Sequence, residues 1–188
     1  MPPDIAVTDL PGVFLVTPRR FGDARGFFTE SWSAKDWAET GIDCDFVQDN
    51  HSLSRLRGTL RGLHAQAPPA AQHKLVRCTR GAIFDVAVDI RRGSETYGAW
   101  VGHELSAENG RQMFVPHGFL HGFLTLCDDT EVQYKCSAGY APAQEIAAHW
   151  DSAGIAWPET PGPFLSDKDA AAAPLAELQT PFIERRTP

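Results

Sequence analysis

Short runs of strand-forming residues recur along this chain, with Gly or Pro between them. The main runs cover 12–16, 46–50, 74–78, 82–90, 100–105, 112–115, 119–126 and 131–136, and a further one lies around 60–66. Runs of this length at regular spacing predict an all-β sandwich or barrel. Arg80-Gly81 marks a tight turn between two of them. Two short helices are expected at the margins. Ser33 to Asp36 has the form of a capping box, with Gly41 as a stop. Ser166 to Asp169 has the same form and precedes an Ala-rich stretch. The chain after Thr180 reads as irregular. No internal repeat, low-complexity linker or long charge block interrupts the 188 residues, which read as a single domain with a real core.

Composition narrows the function. A formal charge of -7, from 17 Lys and Arg against 24 Asp and Glu, argues against nucleic acid, whose phosphates need clustered cations. A small phosphorylated ligand needs only two or three cations and stays open. No run of about 18 apolar residues is present, so no membrane span is expected. The first residues lack the basic start and apolar centre of a signal peptide. Cys44, Cys78, Cys127 and Cys136 show neither C-x-x-C nor zinc spacing, and they read as reduced thiols of a cytoplasmic protein.

The strand period sorts side chains by face. In 82–90, Phe84, Val86, Val88 and Ile90 share one face, while Asp85, Ala87 and Asp89 share the other. Lys74 shares a face with Val76 and Cys78, Tyr134 with Val132 and Cys136, and His64 with Leu60 and Gly62. A Lys, a Tyr and a His on inward faces are costly to bury unless paired or hydrated. A barrel lined this way is expected to enclose a polar cavity.

Two clusters carry candidate chemistry. In Arg61-Gly62-Leu63-His64-Ala65-Gln66, His64 is either a satisfied core histidine or a base. In the segment from Pro116 to Phe123, His117 and His121 stand four apart. The glycines argue against the helix that a zinc pair needs, and a structural His beside a tight turn suits His117 better. His64-Ala65-Gln66 offers Gln where a metal-binding H-x-H has imidazole, and Gln is the poorer ligand. No metal or other cofactor is expected.

Eight segments in order resemble the dTDP-4-dehydrorhamnose 3,5-epimerase family. They are 21–30, 48–52, 61–64, 72–77, 84–91, 116–123, 134–137 and 165–169, and their spacing holds from about residue 5 to residue 170. The resemblance implies a metal-free cupin-type jelly roll, a homodimer and a dTDP-4-keto-6-deoxyhexose substrate. It also implies proton removal beside the C4 ketone at C3, C5 or both, followed by proton return to the opposite face. Competing classes are a metal-dependent cupin oxygenase or isomerase and a non-catalytic sugar-binding jelly roll.

Within the resemblance, His64 is the base and Asp169 its carboxylate partner, although Asp169 has a second reading as part of the cap begun at Ser166. Lys74 stabilises the enolate, and Tyr134 returns the proton from the other face. Arg61 suits a diphosphate, being planar and permanently charged. Gln48 and Asn50 match contacts to sugar or phosphate, and Tyr140 an aromatic that packs on the base. Phe21, Arg25 and Glu30 match a segment that reaches the neighbouring subunit's site, and His121 lines the pocket. The chain departs from the family's common residues at Ala65, His117, Leu120, Gly139 and Ser152-Ala153. Leu120, beside His121, is a candidate for trimming the sugar pocket. These departures leave the sugar, and single or double epimerisation, open.

Overall fold

The computed structural model describes residues 2–42 and 44–184. Thirteen strands and two short α-helices occur among them. One sheet runs β1 (Asp4–Val7), β2 (Phe14–Thr17), β10 (Gln112–Val115), β7 (Lys74–Arg80), β12 (Thr130–Cys136), β5 (Gln48–Ser54). The other runs β13 (Glu145–Ala148), β6 (Leu60–Gln66), β11 (Phe119–Thr125), β8 (Ala82–Asp89), β9 (Trp100–Ser106). β3 (Arg20–Asp23) and β4 (Gly26–Thr29) form a separate hairpin. The pairings are antiparallel, and neighbours distant in sequence, such as β2 beside β10 and β5 beside β12, give the jelly roll.

Three apolar layers hold the sheets, the third formed by Val16, Leu75 and Phe114 of the six-stranded sheet with Trp37 and Ile42. Between the sheets lie Val76, Cys78, Ile83, Ala87, Val101, Leu105, Met113, Phe119, Phe123 and Val132. Behind the five-stranded sheet, Leu63, Val86, Val88, Ile90 and Leu120 pack under Ile155, Leu175 and Phe182. This second layer settles the facing of β8. Its wholly apolar face, Phe84 to Ile90, points out of the barrel and under the C-terminal segment, so Asp85 and Ala87 face the interior. Leu120 belongs to this outer layer and is fully buried there. It therefore does not trim the sugar pocket, because successive strand residues point to opposite faces.

The helices are shorter than the sequence suggests. α1 (Ala34–Ala38) starts at Ser33, whose Oγ accepts the Asp36 N–H. α2 (Asp167–Ala170) is a single turn. The alanines beyond it do not extend it: His149 N–H donates to the Ala173 carbonyl at 2.7 Å, and Pro174 disfavours helix at Ala173. β5 begins later than expected, at Gln48, because its register is set by β12, where Gln48 faces Cys136 and Ser54 faces Thr130. Phe46 instead packs edge-on against Trp32. Beyond Thr180 no strand or helix forms through residue 184, yet Phe182 is buried and Ile183 bridges to Arg92; residues 185–188 lie outside the described residues.

Leu120→Ala should cost about 2–5 kcal/mol by chemical denaturation, as a buried Leu truncation behind the sheet, while leaving ligand affinity at the barrel mouth unchanged.

Candidate active site

β6 and β11 run side by side, with His64 directly opposite His121. β7 and β12 bring Lys74 and Tyr134 from the facing sheet. A cavity of about 490 Å³ opens here, lined by Arg61, His64, Lys74, His121, Tyr134 and Asp169 among others. A second lobe of about 430 Å³ shares His64, Lys74 and Tyr134 and adds Gln48, Asn50, Tyr140, Glu145 and Lys168. The inward Lys, Tyr and His therefore converge on a polar space, as their strand phase implied.

His64 Nε2 lies 2.7 Å from Asp169 Oδ1. Its Nδ1 is 3.9 Å from Glu145 Oε1. Asp169 is held from behind by Ser166: the hydroxyl accepts the Asp169 N–H at 3.1 Å and donates to Asp169 Oδ2 at 2.9 Å. The cap and the contact of Asp169 with His64 thus occur together. The residue completes the turn with one oxygen and meets His64 with the other. Gly62 makes this approach possible, since a Cβ at position 62 would lie 2.7 Å from Asp169 Oδ1.

Burial pushes the His64 ring below the ordinary histidine range. The Asp169 and Glu145 charges oppose that shift, and Lys74 adds to it. The result favours a neutral imidazole, the form that can accept a proton. Burial likewise pulls Lys74 below the usual ammonium range, against the nearby Cys136, Asp85 and Glu145. Burial pushes the Tyr134 phenol up, with Cys136 adding to the rise and Arg61 opposing it.

The remaining expected residues divide. His121 lines the cavity, and its Nε2 lies 2.8 Å from Asp85 Oδ1, both groups being buried. Gln48 Nε2 donates to Asn50 Oδ1 at 3.0 Å, and Gln48 Oε1 accepts the Tyr140 N–H at 3.0 Å. Arg61 reaches the cavity rim and bonds Ser54 Oγ and the Leu53 carbonyl, each at 3.4 Å. Phe21, Arg25 and Glu30 lie on or beside the exposed β3–β4 hairpin and do not line this cavity, and Arg25 pairs with Asp23. His117 sits in the turn before β11, between the His73 and Phe182 rings, so it does not share a face with His121.

No three His, Cys, Asp or Glu side chains converge in a metal-holding group among the described residues. Gln66, the alternative ligand beside His64, spends its amide on the backbone of Ala70, Gly139 and Ala141.

Three residues at the site escaped sequence reasoning. Asp85 supports His121; its signal was a carboxylate interrupting an apolar strand. Glu145 accepts the Tyr140 hydroxyl at 3.1 Å and pairs with Lys168. Glu145 lies on β13, whose four residues carry too little pattern to announce a strand, and Lys168 looked like part of a helix cap.

Asp169→Asn should lower the His64 pKa further, because it removes a charge that raises it and leaves the burial that lowers it. NMR titration of the His64 ring checks this; an unchanged or higher value would break the pairing.

The model of the dTDP-4-dehydrorhamnose 3,5-epimerase family matches residues 7–177. The dTDP-4-dehydrorhamnose 3,5-epimerase of Sinorhizobium fredii is 52% identical over 172 residues, covering 90% of this chain and 88% of the relative. The Legionella pneumophila dTDP-6-deoxy-D-glucose-3,5-epimerase, solved in complex with dTDP-4-keto-L-rhamnose, superposes with a TM-score of 0.93 at 43% identity, covering 97% of this chain and 100% of that one. A 3'-monoepimerase from Streptomyces bikiniensis, solved with dTDP-quinovose, superposes with a TM-score of 0.84 at 36% identity, covering 94% of this chain and 88% of that one. With the cupin-type jelly roll and the cavity lined by His64, Lys74 and Tyr134, these matches place the chain in the dTDP-4-dehydrorhamnose 3,5-epimerase family.

Proposed function

We propose that this chain epimerises a dTDP-4-keto-6-deoxyhexose, inverting C3, C5 or both through an enolate at the C4 ketone. The observation that carries the reading is a cavity in which a carboxylate-backed imidazole, biased by burial toward its neutral form, faces a Lys and a Tyr from the opposite sheet. A carbon acid beside a ketone is weak, so abstraction needs a base near neutral pKa and a positive group at the ketone oxygen. His64 is the base. Asp169 orients its ring and stabilises the imidazolium. Lys74 stabilises the enolate oxygen, and Tyr134 protonates the opposite face. A positioned acid or base of this kind is worth about 10²–10⁴ in rate. Arg61, Gln48, Asn50, His121 and Tyr140 bind the nucleotide sugar, with Glu145 and Lys168 beside them.

The hairpin residues serve a second copy in this reading. Phe21, Phe27 and Phe28 are 51%, 60% and 66% exposed, an apolar surface suited to covering in a homodimer. Docking the hairpin on a partner would carry Arg25 and Glu30 to the partner's cavity. Free Cys78, Cys127 and Cys136 suit a reducing compartment such as the cytoplasm. Single-position epimerisation is the second reading, favoured by the likeness to the 3'-monoepimerase.

Incubating dTDP-4-keto-6-deoxyglucose with the protein in D₂O and following C3 and C5 by NMR tests the reaction. Deuterium is expected at one or both carbons, and none at either would defeat the reading for that substrate. His64→Ala should abolish exchange at both positions while the protein stays folded. Tyr134→Phe should retain exchange better than completed inversion; equal losses would overturn the assignment of opposite faces. Sedimentation should give twice the chain mass, and a monomer with full activity would remove the shared site.

A further inference from the structure

Beneath the cavity, the barrel interior holds polar groups that the proposed chemistry does not use. β8 and β9 pair with Asp85 directly opposite His103. Their neighbours two residues away, Ile83, Ala87, Val101 and Leu105, belong to the core between the sheets, so this face looks inward. Asp85 is fully buried and gives Oδ1 to His121. Its Oδ2 is buried without a hydrogen-bond partner among the described residues, and so is Nε2 of His103. His103 as a whole is half-buried, so its ring spans from the interior to the outside.

Buried polar atoms are rarely left unsatisfied, and two on facing strand positions point to a shared partner. Cβ atoms of facing residues stand about 5 Å apart, which suits side chains joined through a single water. We propose that Asp85 Oδ2 and His103 Nε2 share one buried water, and that His103, this water, Asp85 and His121 form a proton relay between the outside and the catalytic cavity.

The proton balance of the epimerisation, on which this inference rests, explains the need. His64 takes the proton from carbon, and the C–H electron pair becomes the enolate. Tyr134 gives its O–H proton to the other face, the pair forms the new C–H bond, and the ketone returns. The enzyme is left with an imidazolium at His64 and a phenolate at Tyr134. Another cycle requires one proton to leave His64 and one to reach Tyr134. A bound nucleotide sugar occupies the mouth, and His121 faces His64 across the ladder. A proton taken up by the ring nitrogen of His121 that does not face Asp85 releases the one at Nε2 to Asp85. From there it passes through the water to His103 and out; His121 is left neutral with its proton on the other ring nitrogen, a flip of the ring restores the starting tautomer, and the negative charge of the Tyr134 phenolate remains. Tyr134 regains its proton from solvent when the mouth opens. The charged groups acting on His103 are Asp85 on β8, Arg111 ahead of β10 and Asp9 after β1. Burial, with Arg111, keeps its ring below the ordinary histidine range, so it passes a proton on rather than storing a charge.

His103→Phe removes the relay, and His103→Gln keeps a polar group that can hold water but cannot shuttle a proton. First-turnover and steady-state epimerisation are compared by rapid quench, in weak buffer and with added imidazole. Both variants should show a first turnover followed by a steady state slowed about tenfold or more, restored by imidazole. Steady-state rates equal to the unsubstituted protein would overturn the relay. So would a loss in both phases that imidazole does not restore, which would mark His103 as structural. If the unsubstituted protein shows no exchange, the epimerase reading fails and the relay falls with it; failure of the relay alone leaves that exchange intact.

Discussion

The site depends on the contact between His64 and Asp169, and that contact depends on a missing methyl. Gly62 shares the inward face of β6 with His64, and a side chain there would occupy the space of the Asp169 carboxylate. Ser166 then fixes the carboxylate from the other side, through a backbone N–H and its own hydroxyl. A residue near the C-terminus is thus locked onto a strand a hundred positions earlier. The energetic logic is that of any buried ionisable group: desolvation disfavours the charge, and a partner restores part of the loss.

The rest of the cavity follows the same balance. Lys74 enters from the opposite sheet, where burial disfavours its ammonium and the surrounding carboxylates support it. Lys74 and His64 are coupled, because the Lys74 charge adds to the burial that disfavours the His64 imidazolium. His121 repeats the pattern of His64, a ring backed by a buried carboxylate, on the neighbouring strand. Two such pairs thus stand side by side on the five-stranded sheet, facing Lys74 and Tyr134 on the six-stranded sheet.

The second apolar layer has an indirect role. Phe182, Leu175 and Ile155 cover the outer face of the five-stranded sheet, so β6, β8 and β11 are buried on both sides. That rigid support lets polar groups occupy the inner face without loosening it, and it accounts for the apolar side of β8 pointing away from the lumen.

Strand phase alone put His64, Lys74 and Tyr134 on inward faces, because a period of two is a property of the backbone. The recurring short runs specified the all-β class, and the ordered segments specified the family. Sequence could not say which face of β8 was inner, since both are buried, nor place Leu120 behind the sheet rather than in the pocket. Glu145, Lys168 and the Asp85–His121 pair emerged only from the fold, because their meaning lies in partners far along the chain. Asp169 shows the division most clearly. Its local pattern was that of a helix cap, which it is, while its contact with His64 arises only where the end of the chain crosses Gly62.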